Sequence, residues 1–314
     1  KEMAYFFMYE MYNGLQKPGG STLKMLPSYV YKKKAEDANG LYYALDLGGT
    51  NFRVIRMYLK KGALKSWSSK AFAIPKDIMA SGTAEQLFGF IADCILIAEK
   101  DKDKAAPELD LNGSEKRIPL GFTFSFPTQQ FGINCGKLIA WTKGFKTTGV
   151  EGEDVCKLLQ KALDQHKVNM EVVAICNDTV GTLIARYFND SSAEVGVILG
   201  TGSNACYWEQ SQNVIKNPEV AKHGEQDTVI NMEFGGLDSK NLHVLPATPY
   251  DKTIDSESPN PGAQRMEKMI SGMYLGEISR QILVSFSKNG TLPKCLSQKL
   301  NSAYKFLSKD SGMI

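Results

Sequence analysis

"VVAICNDTVGTLIARYF", residues 172–188, changes character halfway along. Val172 to Cys176 is an apolar run short enough for a buried strand, and Val180, Leu183, Ile184 and Tyr187 fall at helical spacing. Between them stands Asn177-Asp178-Thr179. A strand that runs straight into a helix defines an α/β chain. In open α/β sheets the carboxyl ends of the strands are where ligands bind. Asp178 therefore admits two readings. It is a good helix N-cap, with Thr179 and Thr182 suited to the first turn. It is also a carboxylate placed to take or orient a hydroxyl proton, with Asn177 adding a donor and an acceptor beside it.

The same strand-to-turn logic recurs elsewhere. "LYYALDLGGTNFRVIRMYL" (41–59) and "AEVGVILGTGSNACYWE" (193–209) both read as strand, glycine turn, strand. This is an internal repeat that suggests two related domains. Glycines let backbone N–H groups approach an anion, and consecutive amides form a nest for phosphate. Gly48-Gly49-Thr50-Asn51 and Gly200-Thr201-Gly202-Ser203 could each hold part of one polyphosphate, although a tight β-turn explains either one alone. Neither is a Walker loop or a Rossmann fingerprint, because each leads into a second strand. Asp46, at the end of its strand, can orient a Mg²⁺ through water. Arg53 can reach a phosphate oxygen or form a surface ion pair.

Other polar groups stand beside apolar runs: Ser125 in "GFTFSFP", Thr142 and Lys143 after "LIAW", Asn204 after the second glycine turn, Glu233 in "VINMEFGG", and Glu267 before "KMISGMYLG". Fixed carboxylates, amides, a hydroxyl and an ammonium suit a ring bearing several hydroxyls.

The remaining patterns set the frame. Helices are expected over 82–100, 150–166 and 264–288, the second with Glu151, Glu153 and Asp154 at its positive end. A further strand is expected over 117–127 and a surface loop over 101–113. The aromatic and Met stripe in "MAYFFMYEMYNGL" reads as packing. The chain has 314 residues and a net charge of +3, too little to argue for nucleic acid; Lys32-Lys33-Lys34 beside Glu36 and Asp37 reads as a solvated face. Six scattered cysteines lack metal or disulfide spacing and fit a reducing compartment. No apolar run reaches the roughly 18 residues of a membrane span.

Taken in order, "ALDLGGTNFRV", "GFTFSFP", "LIAWTKGF", "GVEGEDVCKLL", "NDTVGT", "ILGTGSNACYWE" and "EKMISGMYLGE" resemble the hexokinase family, and "LKMLPSYV" with "SGMYLGE" favours its eukaryotic type. The resemblance spans residues 22 to 280. It implies a two-domain actin-like (ribonuclease H-like) sugar kinase fold with a cleft, residues 40–177 forming the small domain and 1–39 with 178–314 the large one. It implies transfer of the γ-phosphoryl of Mg-ATP to the 6-hydroxyl of glucose or a related hexose in the cytoplasm, the first step of glycolysis. By the matching motifs, Asp178 is the expected base. Ser125, Thr142, Lys143, Asn177, Asn204, Glu233 and Glu267 join it as the sugar set. Asp46, Gly48, Gly49, Thr50, Asn51 and Arg53 form one phosphate segment, and Gly200, Thr201, Gly202 and Ser203 the other. The family pattern "NTEWG" reads "NMEFGG" here, and a Gly-Ser-rich adenosine-binding segment is expected beyond Ile314. A non-catalytic sugar sensor of the same fold is the alternative; a chaperone-like ATPase would leave Lys143, Glu233 and Glu267 unexplained.

Overall fold

A computed structural model describes residues 1–32, 38–48, 51–100, 116–239, 244–293 and 300–311. The chain divides into two compact units. The first comprises residues 26–194 and 226–230; the second comprises 1–25, 195–225 and 231–314. These borders differ from those expected from the sequence at 39/40 and 177/178, because 26–39 and 178–194 group with the first unit.

The first unit opens with β1 (Leu26–Tyr31), followed by β2 (Gly40–Leu47), β3 (Asn51–Lys60) and β4 (Ala63–Ala73). After the short α2 (Lys76–Ser81) come α3 (Ala84–Lys100), β5 (Ile118–Phe124), the hairpin β6 (Thr128–Gly132) and β7 (Cys135–Leu138), α4 (Val155–Gln165), β8 (Met170–Cys176) and α5 (Asp178–Tyr187). Five strands form one mixed sheet in the order β4-β3-β2-β5-β8. β2 pairs antiparallel with β3 and parallel with β5, and β5 pairs parallel with β8. Parallel neighbours require crossover connections, and this chain uses them to carry its helices. Alternate residues of β2, Leu41, Tyr43, Leu45 and Leu47, are buried. They share a core with Leu87, Phe88, Ile91 and Ile95 of α3 and with Val155, Leu159 and Leu163 of α4. The period of two on the strand and of three to four on the helices is what lets these faces meet.

The second unit starts with α1 (Glu2–Gln16) and resumes with the hairpin β9 (Val195–Leu199) and β10 (Ser203–Gln210), in register from Ser203 opposite Leu199 to Tyr207 opposite Val195. The short α6 (Pro218–Ala221) precedes β11 (Asp227–Asn231), whose first four residues belong to the first unit, where Ser28 donates to Val229 O. α7 (Pro249–Glu257) opens on a capping box between Thr248 and Asp251. Then come α8 (Arg265–Ile270) and α9 (Gly272–Lys288). In place of the single helix expected over 264–288, the chain breaks at extended Ser271, where Gly272 N and Met273 N donate to Gly200 O and Thr201 O.

Two further expectations change. α4 begins only at Val155, capped by Asp154 through Cys156 N, while Glu151 accepts from Trp141 N outside the helix. The α1 stripe packs only in part: Phe6, Phe7 and Met11 are half-buried, Tyr5, Met8, Tyr9 and Tyr12 are exposed, and the buried positions are Glu10, Gly14 and Leu15. α1 is apolar nearly all round, so its sequence alone does not choose a buried face. The Glu10 carboxylate accepts from Ser21 Oγ, Thr22 N and Thr22 Oγ1, which satisfies its buried charge. The loop expected over 101–113 lies outside the described residues.

Candidate active site

In the first unit, strand register brings three carboxyl ends into line. Asp46 stands opposite Thr123, and Thr123 opposite Cys176. The backbone then delivers Asn177 and Asp178 immediately after that row. Burial raises the Asp46 carboxyl above its ordinary value. Arg53 and Lys143 pull it down, and the negative charge of Asp178 pushes it further up. Asp46, Arg53, Lys143 and Asp178 thus form one electrostatic group. Arg53 Nη1 lies 3.4 Å from Asp46 Oδ2, its side chain more than half exposed. Behind them Cys176 meets Thr123 Oγ1 at 3.8 Å, and burial pushes its thiol up to about 11, so it stays protonated.

Asn177, and not Asp178, caps α5. Asn177 Oδ1 accepts from Thr179 N at 3.0 Å and from Thr179 Oγ1 at 2.6 Å. Asp178 occupies the first helical position, and its Oδ1 accepts from Thr179 N at 2.9 Å. The amide oxygen satisfies an orphan donor of the helix end.

Lys143 takes a left-handed backbone (φ 56) and donates from Nζ to Ser125 O at 2.7 Å. Its ammonium lies 5.3 Å above the Phe126 ring, which meets Trp141 and Phe145 edge-on, while Trp141 and Phe145 stack at 5.0 Å. This aromatic block holds a flexible lysine in one direction. Ser125 is buried and donates from its N to Leu47 O, which ties the ends of β2 and β5 together. Thr142 O accepts from Phe145 N, closing the turn that aims Lys143. Gly48 N reaches Asn51 O at 3.4 Å, and Asn51 is exposed. Gly49 and Thr50 lie outside the described residues.

The remaining expected residues belong to the second unit. Gly200 N donates to Gly202 O, closing the second turn, and Ser203 N donates to Glu267 Oε2 at 2.8 Å. A Cβ on Gly202 would stand 2.7 Å from that same oxygen, which explains the glycine. The buried hydroxyls of Ser203 and Ser271 have no partner among the described residues. Glu233 is buried with a left-handed backbone (φ 54), and its Oε1 accepts from Asn204 Nδ2 at 3.3 Å and from Asn231 Nδ2 at 2.9 Å. Sequence reasoning missed Asn231. The sequence carries no periodic signal for it, because β11 ends at Asn231 and the left-handed backbone of Glu233 breaks the strand pattern between them.

The hexokinase family model matches residues 1–188, and a second hexokinase model matches 194–314. The Mus musculus protein named hexokinase-1 is 44% identical over 289 residues, which is 90% of this chain and 28% of that protein. Hexokinase-7 of Oryza sativa subsp. japonica is 44% identical over 309 residues, 97% of this chain and 64% of its own. Among solved structures, the hexokinase from Schistosoma mansoni complexed with glucose superimposes with a TM-score of 0.83 and 38% identity, over 98% of this chain and 67% of that one. This chain therefore belongs to the hexokinase family and has its two-domain α/β sugar kinase fold. It spans less than a third of the mouse relative's length and less than two thirds of the rice one's.

Proposed function

We propose that the protein transfers the γ-phosphoryl of Mg-ATP to the 6-hydroxyl of a hexose, with glucose as the first candidate. The observation that carries this reading is the grouping of Asp46 and Asp178, at the carboxyl ends of β2 and β8, with the ammonium of Lys143, which reaches Ser125 O just past β5. Asp178 accepts the proton of the 6-hydroxyl as that oxygen bonds to the γ-phosphorus. The bond from phosphorus to the β-bridging oxygen breaks, and ADP leaves with the electron pair. In a loose transition state of this kind positioning and charge neutralisation dominate over the strength of the base.

Lys143, Ser125, Thr142, Asn177, Asn204, Glu233 and Glu267 are assigned to the sugar. Gly48 to Asn51 with Arg53, and Gly200 to Ser203, are assigned to the phosphates. The exposed Arg53–Asp46 pair is worth at most about 1 kcal/mol, so Arg53 exchanges it readily for a phosphate oxygen. Among the described residues no group of three or more His, Cys, Asp or Glu side chains could hold a metal by itself. A lone carboxylate, Asp46, fits an ion that arrives with the nucleotide and keeps its water. That ion would neutralise charge on the transferred phosphoryl group.

Among the described residues no helix is long and apolar enough to cross a membrane. The free thiols at Cys94, Cys135, Cys156, Cys176 and Cys206 support assignment to the reducing cytoplasm. The decisive experiment is a coupled assay for ADP release by the full-length gene product across a panel of hexoses. Sugar-dependent ADP release supports the kinase. Sugar binding without ADP release would replace it with the sensor, and ATP turnover indifferent to sugar would remove both.

A further inference from the structure

The Asn231 side chain is buried, and both ends of its amide are committed. Oδ1 accepts from Asn204 Nδ2 at 2.7 Å, and Nδ2 donates to Glu233 Oε1 at 2.9 Å. With the 3.3 Å bond from Asn204, two asparagine amides converge on one oxygen of one buried carboxylate. Glu233 Oε2 makes no hydrogen bond among the described residues. The backbone holds the arrangement in register, since Met232 N donates to Ala205 O. The charged side chains of α8, which packs on the turn after Glu233, are engaged elsewhere: Arg265 with Asp238, Lys268 with Asp255, and Glu267 with Ser203 N. Compensation of the Glu233 charge thus falls to the two amides.

We propose that Asn231 is a positioning residue of the sugar site. It fixes the orientation of the Asn204 amide. It also holds the Glu233 side chain with one oxygen committed and the other presented to ligand hydroxyls. Only a side chain that both donates and accepts can do this. Aspartate keeps the acceptor and loses the donor, and alanine loses both. The identity of the ligand rests on the hexokinase reading above; the network itself does not.

The test is Asn231→Asp in the full-length protein, with glucose affinity measured by titration calorimetry between about pH 5 and about pH 8, where neighbouring carboxylates change their shared proton. Wild-type affinity should change little across this range. The variant should bind about tenfold more weakly at the upper end, the usual consequence of losing a hydrogen bond to a charged group. It should recover as pH falls and a proton shared between the introduced carboxyl group and Glu233 replaces the amide donor. The Asn231→Asp/Glu233→Gln double variant restores a donor and removes the repulsion, and should lose the pH dependence even if the single variant folds poorly. Wild-type affinity in Asn231→Asp at about pH 8, a loss independent of pH, or pH dependence persisting in the double variant would each overturn the assignment. Failure of the wild type to bind any hexose would instead remove the hexokinase reading, and this inference with it.

Discussion

The two glycine hairpins carry the same sequence pattern and are supported in different ways. β2 and β3 belong to a five-stranded sheet, and β2 is flanked on both sides. At the tip of their turn, Gly48 N reaches Asn51 O at 3.4 Å, and a Cβ on Gly48 would meet only that oxygen, at 3.9 Å. The turn between β9 and β10 is clamped by side chain and backbone together: Glu267 takes Ser203 N, and the start of α9 takes the carbonyls of Gly200 and Thr201. A Cβ on Gly272 would stand 2.8 Å from Gly200 O, against backbone that cannot swing away. One hairpin is thus shaped by its sheet and the other by a helix start, although both are assigned to phosphate.

The largest effect expected at the first unit's site follows Asp178→Asn. It should lower kcat about a thousandfold, within the usual range for loss of a general base, while leaving sugar affinity nearly unchanged. Near-normal turnover in the coupled assay would break the assignment. Next in size is Gly272→Ala, which should cost about 1–3 kcal/mol of stability, as overpacking against fixed backbone does, and weaken nucleotide binding. Gly48→Ala, by contrast, should stay within about 0.5 kcal/mol of the wild type, as a substitution in open space does. Equal urea midpoints for the two alanine variants would erase the contrast between the hairpins.

The smallest effect concerns pH. Burial raises the Asp46 carboxyl above its ordinary 3.8, so the folded chain holds that proton more tightly than the unfolded chain. Its contribution to stability is therefore present below pH 3.8 and is lost as pH rises through the raised folded value. At neutral pH the charge is a net cost. Asp46→Asn should raise the urea midpoint slightly at pH 7 and lose that advantage in acid, while impairing turnover. A lower midpoint at neutral pH would show that Arg53 and Lys143 outweigh burial.

Much of this was legible in the chain. Period-two burial in β2, the strand–turn–helix at 172–188 and both glycine hairpins follow from local chemistry. The break at Ser271 was not legible, because its cause is a carbonyl some seventy residues away in sequence at Gly200. Exposure of Tyr5, Tyr9 and Tyr12 was hidden for a different reason: a helix apolar on most sides leaves tertiary contacts to choose the buried face. Among site residues, Asp178 and Glu233 stood out as carboxylates beside apolar runs. Asn231 did not, since its role exists only once Asn204 and Glu233 are brought to either end of its amide.

Asn177 and Asp178 divide two tasks that a single residue often combines. The amide takes both Thr179 N and Thr179 Oγ1 at the start of α5, while the neighbouring acid shares only the first of them. The role proposed for Asp178 is thereby separated from most of the capping: neutralising that acid should yield an inert yet intact protein, suited to trapping both ligands together before reaction.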